Sequence, residues 1–260
     1  MSLIPYKNYA KVLRDSEAGK LPLKTQLAMV NSRSWKKDPG GWSYGMYQLA
    51  TFGHKLAPGP RIVGPKTDQE LFSSKSPFHG FLEWGSNLGS DLSLKFTEVL
   101  NPQKLSINSL ALQAAGVSAG TYIDNTAFIK SWVDLANKYP EVSEELQSGY
   151  HARQYYWPAH ALLKKKGIDL LNRSEAVNQL ITDYTNVGPG HFANAVKSLS
   201  NLSDSMTDKE LIMAFSDYYA ELFDKFGKAQ PVFAKGWANR FGTKAGNKIG
   251  HVAETCLKML

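Results

Sequence analysis

Asp38-Pro39-Gly40-Gly41-Trp42-Ser43-Tyr44-Gly45-Met46-Tyr47-Gln48-Leu49-Ala50-Thr51 is the stretch on which the interpretation of this chain depends. Its first four residues predict a tight turn, because proline presets φ at about −65° and glycine tolerates positive φ. From Trp42 onward, the alternation of side chains has the period of two that is typical of a β-strand. Gly45 leaves a gap in this ribbon where another backbone or a ligand can come close. The stretch therefore predicts an aromatic-rich ribbon with the carboxylate of Asp38 at its mouth.

The segment before the ribbon predicts a helix over residues 3–18. Tyr6, Tyr9, Ala10 and Leu13 have helical spacing, and one further turn of the same stripe leads to Glu17. Burial disfavours the charged form of a carboxylic acid, so a glutamate at the end of an apolar stripe is suited to keep its proton near neutral pH. Glu17 is therefore a candidate general acid.

Two carboxylates in different settings are what hydrolysis of a glycosidic bond requires. One protonates the leaving oxygen, and the other activates water or stabilises the transition state. Glu17 faces the predicted core, whereas Asp38 lies in an open polar turn. Asp15 points away from the apolar stripe, and we expect it to be a solvated surface acid. The pair formed by Glu17 and Asp38 thus favours a glycoside hydrolase.

Residues 16–19 and 38–49 resemble the catalytic front of chitosanase-like members of the lysozyme superfamily. In these muramidases, found in phage lysins and fused to type VI secretion spikes, a Glu-x-Gly-Gly helix end precedes an Asp-x-Gly-Gly-x-Ser-Tyr-Gly-x-Tyr-Gln ribbon. Ala18 stands where the family usually has glycine, and the 21 positions from Glu17 to Asp38 exceed the family's spacing. Residues 128–197 resemble the second half of the same family.

The resemblance implies a lysozyme-like fold and a peptidoglycan substrate, with Glu17 as general acid and Asp38 as the base that positions water. Aromatic side chains stack on sugar faces, so the ribbon aromatics are candidate substrate-binding residues, although burial in the core is an equal alternative. Gln48 and Thr51 are candidates for holding the attacking water, and the resemblance adds two residues from the other lobe. The substrate-binding candidates are Trp42, Tyr44, Tyr47, Gln48, Thr51, Tyr184 and Asn186.

The composition is that of an ordinary globular protein. The 260 residues are 43% hydrophobic and 20% charged, and we interpret them as a single domain. Residues 52–125 match no block of the family that the chain resembles, and we expect them to be a variable insertion. A single cysteine, Cys256, excludes an internal disulfide and lies on an apolar stripe, so we expect a buried thiol. The six histidines show no pair at metal-ligand spacing, and we expect no metal and no cofactor.

The net charge of +7 favours an anionic partner. No nucleic-acid-binding motif accompanies this charge, so we expect no nucleic acid and favour the polyanionic bacterial cell wall. The sequence has no apolar run of membrane-spanning length and no signal peptide at its start. We expect a monomer that is made in the cytoplasm and reaches the wall or periplasm after release or delivery.

The second half of the chain predicts a helical body. An apolar stripe from Phe128 to Tyr139 ends at Pro140, and a second helix follows at 142–156. The pairs Asn172 with Glu175 and Thr207 with Glu210 have the spacing of capping boxes, and helices are also predicted at 232–241 and 244–260. The expected fold class is α+β and predominantly helical, with a small N-terminal β-ribbon and a cleft beside it.

A muramidase of endolysin or effector type is the leading functional hypothesis. A chitosanase is an alternative, although its polycationic substrate suits an acidic cleft better than a protein of charge +7. A lytic transglycosylase remains open, because that reaction can proceed with a single acid. Alternatives of another class are a catalytically silent wall-binding or virion structural protein, and a nucleic-acid-binding protein that would bind DNA in a salt-sensitive manner.

Overall fold

The computed structural model describes residues 3–31, 42–51, 76–118, 121–229, 231–244 and 246–260. The chain divides into two compact units, the first made of Met1–Leu3 and Arg14–Tyr150 and the second of Ile4–Leu13 and His151–Leu260. The helices are α1 (Lys11–Glu17), α2 (Leu23–Ala28), α3 (Pro77–Ser86), α4 (Asp91–Leu100), α5 (Ile107–Ala115), α6 (Thr126–Lys138), α7 (Pro140–His151), α8 (Trp157–Lys164), α9 (Glu175–Val187), α10 (Pro189–Ser198), α11 (Asp208–Ala229), α12 (Pro231–Phe241) and α13 (His251–Leu257). The strands are β1 (Val30–Asn31), β2 (Ser43–Tyr44), β3 (Leu49–Ala50), β4 (Val117–Ser118), β5 (Thr121–Tyr122), β6 (Gly242–Thr243) and β7 (Lys248–Ile249).

These elements confirm the α+β class with a predominance of helix. The strands form a three-stranded antiparallel sheet, β1-β2-β3, and two antiparallel hairpins, β4-β5 and β6-β7. Within the part of the chain that the structure describes, none of the helices combines the length and apolar character needed to cross a bilayer.

The N-terminal ribbon is a hairpin and not the single strand that the sequence predicted. Strands β2 and β3 pair through Ser43↔Ala50 and Tyr44↔Leu49, and β1 pairs with β2 through Val30↔Tyr44. Between them the chain turns back, with the Gln48 amide donating to the Gly45 carbonyl over 3.1 Å. The alternation of side chains from Trp42 onward predicted one continuous strand. That prediction was wrong because positive φ angles at Gly45 (74°) and Gln48 (52°) reverse the chain in the middle of the pattern.

The core of the first unit is aromatic. The Tyr44 ring stacks on Phe78 at 4.5 Å between ring centres and meets Trp132 edge-on at 5.4 Å, while Phe81 packs edge-on against Phe96 at 5.5 Å. Three of these aromatics come from α3 and α4, in the segment expected to be a variable insertion. Residues 76–118 therefore build part of this core.

The first helix is shorter than the sequence predicted. It begins at Lys11, because Asn8 and Ala10 have φ angles of 54° and 50°, which a right-handed helix excludes. Tyr9, Ala10 and Leu13 are nevertheless buried. The apolar stripe therefore predicted correctly which residues are buried, but only its last turn, from Lys11 onward, is helical. The segment 21–30, which the sequence left ambiguous, contains α2 and the start of β1.

The helices after residue 125 match their prediction closely. Helix α6 buries Phe128, Trp132, Leu135 and Ala136, and it ends before Pro140, as the stripe predicted. Helix α7 follows directly and continues through a π-helical turn, Ala152–Tyr156, into α8, which carries a proline in its first turn. The proline follows the π-helical turn, where the regular i→i−4 hydrogen-bond pattern is already interrupted, so its missing amide hydrogen costs less there than inside a regular helix.

The second unit corrects one predicted cap and confirms another. Helix α9 is capped by Ser174, whose hydroxyl accepts from the Val177 amide over 3.4 Å, whereas Asn172 lies in a preceding 3₁₀ turn. The predicted capping box of α11 is present. The Thr207 amide donates to the Glu210 carboxylate over 2.7 Å, and the Glu210 amide donates to the Thr207 hydroxyl over 3.3 Å.

The C-terminal segment differs from the predicted helix over 244–260. It forms the end of the β6-β7 hairpin followed by α13, and the hairpin contains positive φ angles at Gly242 (87°) and Asn247 (47°). Cys256 lies in α13 with no solvent exposure, and burial raises the pKa of its thiol to about 12. The prediction of a buried core cysteine is therefore confirmed.

Candidate functional site

Helix α7 supports the N-terminal ribbon through a buried glutamine. Gln147 is 1% exposed, and its side-chain oxygen accepts from the Met46 amide in the ribbon turn over 2.9 Å. Its side-chain nitrogen donates to the Leu27 carbonyl over 3.2 Å and to the Ser143 hydroxyl over 3.0 Å. A buried amide group is stable only when its polar atoms are paired, and here one side chain binds both α2 and the ribbon.

The gap at Gly45 is filled by this glutamine. A Cβ atom at position 45 would overlap the side-chain oxygen of Gln147 and would lie 3.0 Å from the Trp132 ring. The Trp132 indole also donates to the Leu27 carbonyl over 3.1 Å. The sequence correctly indicated a close approach at Gly45, and the group that approaches is a side chain of the same unit.

The end of α1 and the ribbon turn rest on neighbouring positions of α7. The Arg14 guanidinium pairs with Glu144 over 3.4 Å, and the Tyr47 hydroxyl hydrogen-bonds the Ser148 hydroxyl over 3.1 Å. Residues four apart lie on the same face of a helix, so Glu144 and Ser148 bring α1 and the ribbon together. Burial raises the pKa of Tyr47, and the nearby Arg14 charge opposes that rise. Helix α7 thus links the end of α1 to the ribbon through Glu144 and Ser148.

Glu17 is the last residue of α1 and is half-buried. Leu13, one turn earlier, has no solvent exposure, and Ala18 is 5% exposed, so the carboxylate lies at the edge of the core and not deep within it. Asp15, expected to be fully solvated, is also half-buried and accepts a hydrogen bond from Gln26 over 3.2 Å. Asp38 lies outside the described residues.

The ribbon candidates fall into two groups by burial. Tyr44, Tyr47 and Thr51 are 0%, 6% and 2% exposed, and the Tyr44 hydroxyl donates to the Ala114 carbonyl over 2.7 Å. These three side chains lie in the core. Trp42 and Gln48 are half-buried and retain surface that a ligand can contact.

The Gln48 side chain is held in a defined orientation. Its nitrogen donates to the Gly45 carbonyl over 2.7 Å, and its oxygen accepts from the Asn31 side chain. Its φ of 52° costs a non-glycine residue about 1 kcal/mol or more, and strain of this kind is frequent at functional sites. The sequence did not indicate Asn31 as a partner of Gln48, because only the pairing of β1 with β2 places the two residues side by side.

The two candidates in the second unit have structural partners. Tyr184 has no solvent exposure, and its ring lies 4.3 Å from Tyr219. The half-buried Asn186 accepts from His151 Nε2 over 3.1 Å, so His151 Nδ1 accepts from the Tyr9 hydroxyl over 2.8 Å. Burial lowers the pKa of His151 to about 3 and keeps this histidine neutral.

A buried ion pair in the second unit also escaped the sequence analysis. Asp183 has no solvent exposure, and both of its oxygens accept from Arg240, over 3.2 and 3.1 Å. This bidentate pair joins α9 to α12. The only signal in the sequence was a carboxylate within the apolar pattern of α9. Across the described ranges, no three side chains of histidine, cysteine, aspartate or glutamate are arranged to hold a metal ion.

Comparison with known proteins finds one family. The family model described as type VI secretion system spike protein VgrG3-like, C-terminal, matches residues 98–244, which is more than half of the chain. The matched stretch begins after the ribbon and includes parts of both compact units. No curated protein matches the chain.

Proposed function

This chain belongs to the type VI secretion system spike protein VgrG3-like C-terminal family, and we propose that it is a glycosidase that cleaves the glycan strands of bacterial peptidoglycan. The observation that carries the proposal is the position of Glu17 at the end of α1, in the same unit as the ribbon and linked to it through Arg14, Tyr47 and α7. The resemblance of residues 16–19 and 38–49 to chitosanase-like muramidases adds to it.

In this proposal Glu17 is the general acid. A general acid donates its proton to the glycosidic oxygen as the bond to the sugar breaks. Asp38 is the base that positions the attacking water, as the resemblance implies, which makes the reaction an ordinary two-carboxylate hydrolysis.

Trp42 and Gln48 are the ribbon residues that we propose contact the glycan. Both are half-buried, and Gln48 has an amide whose direction is set by Asn31 and the Gly45 carbonyl. A fixed amide at a cleft orients a water or a sugar hydroxyl with little loss of side-chain entropy on binding. Tyr44, Tyr47 and Thr51 support the ribbon from the core of the first unit. In the second unit Tyr184 is buried, and Asn186 holds His151.

The family name suggests the route to the substrate. A domain associated with a type VI secretion spike would be made in the cytoplasm and delivered to the wall of another cell. A net charge of +7 would then favour its encounter with the polyanionic wall.

The test measures the rate at which purified peptidoglycan is solubilised by Glu17→Gln and Asp38→Asn. A general acid contributes about 10²- to 10⁴-fold to the rate, so Glu17→Gln is expected to lose at least about 100-fold. Asp15→Asn, two residues away in the same helix, is the matched control and is expected to keep the parent rate, with circular dichroism verifying the fold of all three. Parent rates in both Glu17→Gln and Asp38→Asn would refute the proposal.

The products decide between related reactions. Mass spectrometry of the released fragments is expected to show reducing sugar ends, the result of hydrolysis. Anhydro-sugar ends together with an active Asp38→Asn variant would indicate a lytic transglycosylase that uses Glu17 alone. Faster cleavage of chitosan than of peptidoglycan would indicate a chitosanase, and wall binding without any product would indicate a silent wall-binding protein.

A further inference from the structure

A cavity of about 210 Å³ lies in the first unit, between the end of α4, α5 and the start of α6. Its volume is below the roughly 300–1,000 Å³ of pockets that hold drug-sized ligands, so it suits a single amino-acid or sugar residue. The whole lining falls within residues 100–131, inside the stretch that matches the family. Nothing in the proposed hydrolysis uses this cavity.

The inner wall of the cavity is apolar. Leu100, Leu110 and Phe128 line it, and all three are at most 4% exposed. Asn101 and Asn125 also line it, but the Asn101 side chain is bonded to both backbone groups of Leu105 over 2.8 Å. The Asn125 side chain donates to the Ala114 carbonyl over 3.3 Å. These buried side chains form the floor of the cavity, and Ile123, which also lines it and is 38% exposed, offers apolar surface that a ligand can contact.

The rim of the cavity carries one charge. Asp124 is the only ionisable residue among the described residues that line it. The Asp124 carboxylate accepts from the Thr126 hydroxyl over 2.6 Å and from the Thr126 amide over 3.0 Å, and these bonds lower its pKa and keep it ionised. It forms no ion pair with any residue in the described ranges, although the protein as a whole is basic.

Two further rim side chains have hydrogen-bonding capacity to spare. Gln113 and Ser131 line the cavity, both are half-buried, and neither makes a side-chain hydrogen bond within the described structure. An apolar interior with a carboxylate, an amide and a hydroxyl at its mouth complements a ligand with a methylene chain and a cationic end. Lysine-like side chains have this construction, since their methylene stems lie on apolar surface while the ammonium group remains at a polar edge.

We propose that this cavity binds the side chain of a diamino-acid residue in a peptide, with the ammonium group at Asp124 and the methylene chain against Ile123, above the floor formed by Leu100, Leu110 and Phe128. The choice of the peptide rests on the proposed function, because the stem peptides of peptidoglycan contain a diamino acid. The cavity then gives the enzyme a contact with the peptide part of its substrate, separate from the glycan at Glu17.

The first experiment uses two model ligands of the same length and the full chain. Binding of Nα-acetyl-lysine amide and of Nα-acetyl-norleucine amide, which lacks the amine, is followed by NMR shifts of backbone amides. The lysine ligand is expected to shift residues 124–131 saturably and to bind about 1.4- to 5-fold more tightly than the norleucine ligand, the range for an exposed ion pair. Equal affinity of the two ligands, or shifts elsewhere in the chain, would overturn the proposal.

Variants separate the charge from the cavity. Asp124→Asn keeps a residue that suits a helix start and is expected to lower the affinity for the lysine ligand to that for norleucine. Glu141→Gln, an exposed acid in the first turn of α7, is the matched control and is expected to bind as the parent does. Ser131→Phe fills the cavity from its half-buried rim and is expected to abolish binding of both ligands. Unchanged lysine binding by Asp124→Asn would contradict the role of the carboxylate.

A third experiment tests whether the ligand is the wall peptide. It also separates the proposed cavity from the proposed glycosidase activity. A soluble muropeptide with a free diamino-acid amine is expected to bind, and its N-acetylated form to bind several-fold more weakly; equal binding would remove the wall peptide as the ligand. Glu17→Gln is expected to retain binding. If that variant still lyses walls while the muropeptide binds, the proposed glycosidase fails and the cavity proposal stands.

Discussion

Gln147 and His151 lie one turn apart on α7, and each is 1% exposed. Gln147 belongs to the first unit and binds the ribbon turn and α2, whereas His151 belongs to the second unit and binds Tyr9 and Asn186. Both are polar side chains at positions where a helix usually buries an apolar one. In each unit a segment from the N-terminal part of the chain is therefore attached by side-chain hydrogen bonds to a helix distant in sequence.

The two residues differ in their response to acid. An amide does not titrate, so the bonds of Gln147 do not depend on pH. His151 has to stay neutral, because protonation would place an uncompensated charge in the core and would remove the acceptor for the Tyr9 hydroxyl. Helix α7 thus holds the ribbon turn through Gln147 at any pH. It holds Tyr9 through His151 only where the histidine is neutral.

The largest effect is expected when the contact between Gly45 and Gln147 is broken. Gly45→Ala places a methyl group on the Gln147 oxygen and imposes a φ of 74° on alanine, and it is expected to cost about 4 kcal/mol of unfolding free energy in urea titrations. In a Gln147→Ala background the overlap with Gln147 disappears, so the cost should fall to the backbone strain of about 1–2 kcal/mol plus the cost of the close approach to Trp132. An equal cost of Gly45→Ala in both backgrounds would contradict the contact.

An intermediate effect is expected from His151→Gln, which converts the pH-sensitive attachment into an amide like that of Gln147. The His151 pKa falls from 6.5 to about 3 on folding, so the unfolded chain binds more protons between these values. Stability from neutral His151 is present above about 6.5 and declines by about 1.4 kcal/mol per pH unit below it. Between pH 6.5 and 4.5 the parent should lose about 2–3 kcal/mol more than the variant.

This difference is measured by chemical denaturation at several pH values with both proteins. The variant is expected to be less stable than the parent at pH 7, where the histidine bonds are intact, and the gap should narrow as the pH falls. Parallel curves of unfolding free energy against pH would show that His151 does not titrate on unfolding.

The smallest effect is expected from Tyr47→Phe. The substitution removes a buried hydroxyl that bonds Ser148 and should cost about 1 kcal/mol. Because Tyr47 supports the ribbon from the core, the rate of peptidoglycan cleavage should change by less than about twofold where the protein is fully folded. A large loss of rate without a matching loss of stability would instead assign Tyr47 to the substrate. Tyr218→Phe, at a half-buried tyrosine in the second unit, is the control substitution.

Local signals in the sequence predicted much of the helical part. The stripe of α6 and the Thr207–Glu210 capping box gave the positions of two helices, because side-chain period and capping bonds involve residues three or four apart. The same reasoning failed at residues 172 and 244–260. Both Asn172 and Ser174 are suitable N-cap residues, and the structure uses Ser174. At residues 244–260 the apolar pattern suited a helix, but positive φ angles at Gly242 and Asn247 form a hairpin before α13.

The candidate site was predictable only in part. The sequence indicated a special position at Gly45 and an acid at the end of a helix, because both follow from short patterns. It did not indicate Asn31, Arg14 or Gln147 as their partners. These residues meet the ribbon and α1 through contacts spanning from 17 to more than 100 positions of the chain.

By itself, the sequence determined the helical class, the presence of a small ribbon near the N-terminus, a buried cysteine and a basic surface. Each depends on composition or on neighbours within one or two turns. Only the tertiary structure decided that the ribbon is a hairpin, that Tyr44 and Tyr184 lie in the core, and that Gln147 occupies the space beside Gly45. The burial of a side chain and its hydrogen-bond partners depend on which distant segments pack together. The periodicity of hydrophobic residues along the sequence does not contain that information.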